Sequence, residues 1–537
     1  MENTRLELPA GIHTFETIRT DGCVYVDKTE YLVELIKRGK RYFLSRPRRF
    51  GKSLTVTTFN ALFSGRKDLF KGLYAEEFLN SPEFMPRPVI RLDMSDITTN
   101  LGIDKMELSL KLHTSGVAQK LNVDIPENIP SGDMLTKLIV NTAKKYGTKV
   151  VVLIDEYDKP FTDFIDKPPM AEEVRTLLRN YYSRLKANEK YIHFIFITGI
   201  AKFTRMGVFS TLNNLIDISP MEKYGKICGL TEEEIVEYFP DYLEETAQKF
   251  KISTEELLER MRNYYNGFCF DIEGKYRLYN PFSTLNFFTH QVFTNFWFES
   301  ATPSMIAKYL KTQKLTVEQF RNFPVSQDFI FNSVEIEKAL PENFLFQTGY
   351  LSLRKGEGEK LFLDYPNTEV LNSMSALVSE NILQDNDYNK RKILHALSTG
   401  NYDLVKEALN VLLASIPYDD FVNAAKENIL INDYKYPAHE WLYRSTIFAF
   451  LRGCNIVVYA EMHSNLGRAD LVVIHEGKTW IIEIKVAYKG KKTKKKAKEA
   501  LQQIIDKNYA KPYPNAICMG LVIDDRVGQI TEFKVKI

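Results

Sequence analysis

A chain of 537 residues is too long for one hydrophobic core, so roughly two to four domains of ordinary size are expected. With 44% hydrophobic and 26% charged residues it has the make-up of a folded protein, which excludes a disordered or low-complexity chain. A net charge of +2 favours no partner by itself, and the five scattered cysteines, without paired short spacings, exclude a disulfide framework or zinc finger and fit a reducing, cytosolic setting.

The first residues, MENTRLELPAGIHTFETI, contain acids and no apolar segment of the secretory type, and the most apolar stretch, Ile192 to Ile200, is far too short to span a bilayer. A cytoplasmic protein without membrane attachment is the expectation. Residues 41 to 64 then read as strand, loop and helix: RYFLS is short and apolar, RPRRFGKS is a turn with Pro and Gly, and LTVTTFNALFS is an apolar-faced helix stopped at Gly65. That order is the one a phosphate-binding loop requires. Backbone N–H groups and the positive end of the helix surround the anion, a lysine reaches the terminal phosphates, and a hydroxyl binds Mg²⁺. Arg49, Phe50, Gly51, Lys52 and Ser53 are therefore the expected nucleotide-binding loop, with Ser53 on the metal. Arg46 stands where the general pattern has its first glycine.

Pro88 to Met94, Lys149 to Asp155 and Ile192 to Gly199 are further runs rich in β-branched and aromatic residues, separated by helical patterns such as Ala171 to Ala187. Continuous apolar strands alternating with helices imply a parallel sheet covered on both faces, hence an α/β class and a P-loop domain over 1–225. VVVLIDE delivers Asp155 and Glu156 to the C-terminal end of a strand, where ligands gather in such sheets. Asp155 is expected in the Mg²⁺ shell and Glu156 as the group that orients or deprotonates the attacking water of ATP hydrolysis. Thr198, at the end of another strand, is placed to sense the γ-phosphate or simply to bond backbone, and Arg205 to act in trans as an arginine finger.

From Leu230 the pattern turns helical, with Thr231 as a cap, and Arg277 to Phe288 reads as strand, turn and helix, giving a lid or winged-helix-like module over 226–300. Residues 301–430 show helical periodicity and no chemistry, as in a helical connector. The last stretch, 431–537, changes character: a helix ending at Gly453, a strand NIVVYAEMH, a hairpin turning at Glu476-Gly477-Lys478, a helix KAKEALQQIIDKNYA and a final strand AICMGLVID. This is a second, smaller α/β domain.

That domain offers two acids and a lysine. Asp470 follows Gly467-Arg468 on one hairpin strand. Glu483 and Lys485 lie two apart on the other, so they share a face while Ile482 and Ile484 take the opposite one. Two carboxylates there can hold Mg²⁺, or Mn²⁺, which polarises a phosphate and acidifies a water. Lys485 would position that water or offset charge on the phosphate. Glu440 on the preceding helix is a further metal ligand or water-orienting group, and Gln503 on the following helix can bind metal-held water or backbone phosphate. The run KGKKTKKKAK, Lys489 to Lys498, directly follows the strand of Lys485, where positive charge would attract nucleic acid, DNA or RNA.

YVDKT (25–29), SRPRRFGKSL (45–54), LIDEYDKP (153–160), TGIAKFTRMGVFSTLNNLIDIS (198–219) and YNPFS (279–283) resemble the motifs of the bacterial AAA-ATPase-like family over roughly the first three hundred residues. The resemblance implies that arginine at position 46 is normal there and that a C-terminal PD-(D/E)xK nuclease-like domain follows, with the restriction-endonuclease-like fold. Asp470, Glu483-Ile484-Lys485, Glu440 and Gln503 resemble that nuclease pattern. An ATP-regulated, Mg²⁺-dependent nuclease, suited to defence against foreign nucleic acid and able to form homo-oligomers, is the leading expectation. A signalling or scaffold ATPase that grips nucleic acid without cutting it, and a translocating motor, are the alternatives.

Overall fold

The computed structural model describes the chain apart from residues 1–4, 100, 165–167, 201–214, 298–316, 332–339, 357–359, 383–386, 417–427, 432–433 and 465–466. Arg205 lies outside the described residues. The chain forms two compact units, one of Met1–Tyr309 with Asn322–Val370 and one of Leu310–Arg321 with Leu371–Ile537.

In the first unit, β1 (Arg41–Ser45), β2 (Val89–Asp93), β3 (Val150–Asp155), β4 (Ile192–Gly199) and β5 (Ile216–Asp217) form a parallel sheet in the order β2-β3-β4-β1-β5. Every residue of β3 is buried, as a strand covered on both faces must be. Helix α1 (Lys52–Phe63), which follows the loop, lays Phe59 against Phe194 and Phe196 of β4 and so fixes the loop to the sheet. Because β4 lies between β1 and β3, the ends of all three strands meet at one edge, with Ser45 paired to Gly199 and Ile154 to Ile197.

Helices α2 (Glu232–Tyr238), α3 (Pro240–Phe250), α4 (Thr254–Tyr265) and α5 (Pro281–His290) pack around Phe239, Tyr265, Phe287 and Phe288. Thr231 closes α2 with a capping box: its hydroxyl accepts from Glu234 N at 3.2 Å, and its own N–H donates to Glu234 Oε2 at 2.8 Å. Residues 323–364, expected to be helical, hold helices at Gln327–Phe331 and Pro341–Thr348 but also an antiparallel sheet of β6 (Phe323–Val325), β7 (Ser352–Lys355) and β8 (Leu361–Asp364), in the order β6-β8-β7. Strands of three or four residues carry too few alternations to reveal their period.

In the second unit α6 (Asp387–Thr399) and α7 (Tyr402–Ala414) precede a short ladder of β9 (Asn428–Ile431) with β10 (Tyr434–Pro437) and helix α8 (Ala438–Gly453). The main sheet runs in sequence order through β11 (Val457–Ser464), β12 (Gly467–His475), β13 (Lys478–Ala487), β14 (Ile517–Asp524) and β15 (Gln529–Lys536). All neighbours are antiparallel except β13 with β14, which are parallel and joined through α9 (Thr493–Asp506). The β12–β13 turn places Glu476 and Gly477 at φ 44° and 76°, the double left-handed geometry that matches strand twist. Strand β15 continues beyond the expected last strand, and Asn410 of α7 is bonded both ways to Ile530 in it. Helix α9 comes so close to β14 that a Cβ on Gly520 would stand 2.5 Å from Leu501 N. That approach carries the polar face of α9 to the middle of β13.

Candidate active sites

Residues 46–51 bridge the end of β1 and the start of α1, with Arg49 at φ 64° and Gly51 at φ 90°. A Cβ at Gly51 would meet open space, so glycine is required there by the left-handed backbone alone. Phe50 is fully buried against Phe268 and Phe270, which leaves only its backbone for a ligand. The Arg49 guanidinium lies over the Phe282 ring. Lys52 is buried, and its Nζ donates to Pro47 O at 2.9 Å. Burial lowers its pKa, while Glu156, Asp155 and Asp158 pull it back up. Ser53 stands on the first turn of α1.

At the end of β3, Asp155 is 1% exposed. Its Oδ1 accepts from Thr198 Oγ1 at 2.5 Å and from Glu156 N at 3.0 Å, while its Oδ2 has no hydrogen-bond partner among the described residues. A buried carboxylate oxygen left in this way fits a Mg²⁺ ligand. Thr198 is itself fully buried, and its hydroxyl donates to Asp155 Oδ1 and lies 3.5 Å from Ile154 O. Glu156 turns away from the strand at φ 49°, and burial raises its pKa against the pull of Lys52. Beside Gly51 a largely apolar cavity is lined by Val24, Lys28, Phe50, Thr55, Cys228 and Leu285 among others.

Arg46 has a role that its position in the chain conceals. It is 1% exposed, and its guanidinium donates to Ser45 O and Ser219 O at 2.9 Å each and to Tyr224 O at 3.1 Å, lying over the Phe270 ring. The residue in the glycine position therefore anchors the start of the loop to the 219–224 segment and leaves the loop's interior clear.

In the second unit, Asp470 of β12 and Glu483 of β13 are locked through the ladder. Ile484 N donates to Asp470 Oδ2 at 2.7 Å, and Asp470 N donates to Glu483 Oε2 at 3.4 Å. Glu483 is 2% exposed, and its Oε1 accepts from Lys485 Nζ at 3.3 Å and from Gln503 Nε2 of α9. Asp470, Glu483, Lys485 and Gln503 thus converge, while Ile482 and Ile484 are buried as expected. Glu440, on the first turn of α8, is close enough that Lys485 and Asp470 both act on it.

Burial, and then the charge of Asp470, push the Glu483 carboxyl up to about 8, and burial raises Asp470 as well. For Lys485, burial opposes the charge, yet Glu483, Glu440 and Asp470 outweigh it and hold its pKa above the ordinary lysine value. Two buried acids with raised pKa values, side by side across the ladder, suit a divalent cation as counter-charge. Among the described residues no group of three or more His, Cys, Asp or Glu forms a ready-made cage. A pair of carboxylates with positions left for water and substrate oxygen is, however, the donor set Mg²⁺ prefers. Two residues at this centre carry no signal in the sequence around them: Arg444 of α8, 3.9 Å from Asp470 Oδ1, and Tyr509, close enough that Glu483 and Asp470 both act on its hydroxyl. Lys491, Lys492, Lys494, Lys495 and Lys498 are exposed where α9 begins, and Lys496 faces Glu440.

Fold and sites together define a phosphate-loop ATPase core joined to a nuclease-type sheet. Residues 9–209 match the family model described as predicted AAA-ATPase, and residues 438–532 match the PD-(D/E)XK nuclease superfamily. An uncharacterized protein from the vnfD 5′ region of Azotobacter chroococcum mcd 1 is 31% identical over 518 residues, 95% of this chain and 94% of that one. The chain belongs to this AAA-ATPase-like family with a C-terminal PD-(D/E)XK nuclease superfamily domain. Two solved structures overlap it weakly: Aeropyrum pernix Orc1 in complex with DNA (12% identity, 65% and 91% of the two chains, TM-score 0.25) and Cdc6p from Pyrobaculum aerophilum (10%, 66% and 92%, TM-score 0.22). No helix among the described residues is long and apolar enough to cross a membrane.

Proposed function

We propose that the protein is an ATP-regulated, Mg²⁺-dependent nuclease that cleaves phosphodiester bonds in nucleic acid. The observation that carries this reading is the convergence of Asp470, Glu483, Lys485 and Gln503 from two strands and a helix. It stands in a chain that also holds a buried loop lysine facing the acids at the end of β3.

Mg²⁺ or Mn²⁺ held by Asp470 and Glu483 supplies Lewis-acid polarisation of the phosphate and a more acidic water. Lys485, kept charged by its acidic neighbours, offsets the charge that builds on the phosphate, and Gln503 fixes the orientation of Glu483. Glu440 orients water, and the lysines at the start of α9 gather the polynucleotide backbone. In the ATPase centre Lys52 exchanges Pro47 O for the nucleotide phosphates, and the backbone of Arg49 to Gly51 closes around them. Ser53 and Asp155 Oδ2 would hold Mg²⁺, Glu156 would direct water, and the apolar cavity beside Gly51 would take the nucleoside. A cytoplasmic setting, self-association and action against foreign nucleic acid belong to the same proposal.

The test crosses Mg²⁺ and Mn²⁺, each with and without ATP, against single-stranded DNA, duplex DNA and RNA. Cleavage of at least one substrate is expected, with a response to ATP that Lys52→Ala removes. Binding without cleavage in every combination overturns the nuclease and leaves the scaffold ATPase.

A further inference from the structure

The nuclease unit is not contiguous in sequence. Leu310–Arg321 belongs to it, although the chain up to Tyr309 and from Asn322 to Val370 belongs to the ATPase unit. The chain leaves the ATPase unit, contributes one short stretch to the nuclease unit, and returns. Val317 and Phe320 of that stretch are buried. Glu318 between them is buried too, and a buried carboxylate is costly unless it is paired.

Glu318 Oε2 accepts from Ser445 Oγ at 2.8 Å and from Arg444 Nη2 at 3.4 Å. Arg444, one helical turn beyond Glu440 on α8, is 5% exposed. Its Nη1 lies 2.6 Å from Glu461 Oε1 but 3.9 Å from Asp470 Oδ1. The other oxygen of Glu461 takes Arg468 Nη1 at 3.2 Å. Glu461 stands between the Ala460–Leu471 and Met462–Ala469 pairs, opposite Asp470, with its backbone at φ 52°. One guanidinium is thus set among three carboxylates. Glu461 and Glu318 draw it to themselves, at a longer distance from the acid that belongs to the nuclease centre.

We propose that Glu318 is a positioning residue for the nuclease centre: by holding Arg444 it keeps Asp470 Oδ1 available to a divalent cation, and it does so from outside the 371–537 span of the chain. This rests on the nuclease reading of Asp470 and Glu483. Replacing Glu318 with Gln loosens its hold on Arg444 and releases the guanidinium toward Asp470, which opposes cation binding there. Outer partners of metal-site groups typically change affinity by tenfold or more.

The experiment measures Mn²⁺ binding to the full chain by electron paramagnetic resonance, without nucleotide or nucleic acid. Asp470→Asn identifies the ion that belongs to this centre. Glu318→Gln is expected to weaken that ion's binding about tenfold, with Glu318→Asp recovering part of the loss. Ser445→Ala, which keeps the charge and removes one bond to Glu318, is expected to act in the same direction and less. An Asp470-dependent ion whose affinity is unmoved by Glu318→Gln and Ser445→Ala overturns the positioning role alone. Absence of any Asp470-dependent ion in the wild type overturns the nuclease reading and this inference with it.

Discussion

In the ATPase centre the groups expected to meet the phosphates are largely backbone, held by left-handed residues at Arg49 and Gly51, and Glu156 leaves its strand in the same conformation. In the nuclease centre they are side chains, held by one another across regular strands. The first arrangement tolerates side-chain change in the loop, provided the backbone path is anchored from outside, as Arg46 anchors it. The second tolerates little, because each acid or base is also its neighbour's partner.

The largest expected effect follows from that interdependence. Asp470→Asn is expected to lower single-turnover cleavage by about a thousandfold while leaving ATP affinity, measured by titration, unchanged. A matching fall in ATP affinity would break the contrast. Next is Arg46→Gly, which restores the general loop pattern but strips the donor from three carbonyls at Ser45, Ser219 and Tyr224. Chemical denaturation is expected to show a loss of about 3 kcal/mol or more. A variant as stable as wild type would remove the anchoring role.

A subtler comparison concerns two buried acids. Glu369 in the ATPase unit, like Glu483, is pushed up to about 8 by burial, but it accepts from Ser283 Oγ at 2.8 Å and Trp297 N at 2.8 Å, and no acid contributes to its shift. It stays protonated in the folded chain until about pH 8, whereas its unfolded carboxyl ionises near 4.5. Native stability from this group is therefore full below about pH 4.5 and falls as pH rises toward about 8. The slope is at most about 1.4 kcal/mol per pH unit. Glu369→Gln, always neutral, is expected to flatten that dependence in urea unfolding between pH 5 and 8. An unchanged slope would refute it. The smallest effect is expected from changing Lys494, Lys495 and Lys498 to Gln. The salt dependence of duplex binding should fall by about 0.9 in log–log slope for each phosphate no longer neutralised, with cleavage at saturating substrate unaffected. A constant slope would place the polynucleotide elsewhere.

Local chemistry explains which features are legible along the chain. Gly51, Lys52 and Ser53 stand at a strand–helix turn, VVVLID is a strand buried on both faces, and Glu483-Ile484-Lys485 alternates across one, so neighbouring residues betray each site. Arg46 and Arg444 act on partners far away in sequence, such as Ser219 and Glu318, and no local pattern announces such pairs. Thr198 stands at a strand end, as its run of apolar neighbours implies, but only the packing of β4 beside β3 shows that its hydroxyl turns to Asp155. Strand β15 does leave a trace: apolar Ile530, Phe533 and Val535 recur among polar residues in QITEFKVK.

Glu318 also bears on heredity and engineering. A fragment that begins at Leu371 would carry every acid, lysine and glutamine of the nuclease centre, yet it would arrive with Arg444 short of one counter-ion. If Glu318 holds Arg444 as proposed, the C-terminal sheet is expected to work less well as a separate cassette. A single crossover or fusion junction between residues 322 and 370 would pair an Arg444 from one parent with a Glu318 from another, so on this proposal the two units are best inherited, and best transplanted, together.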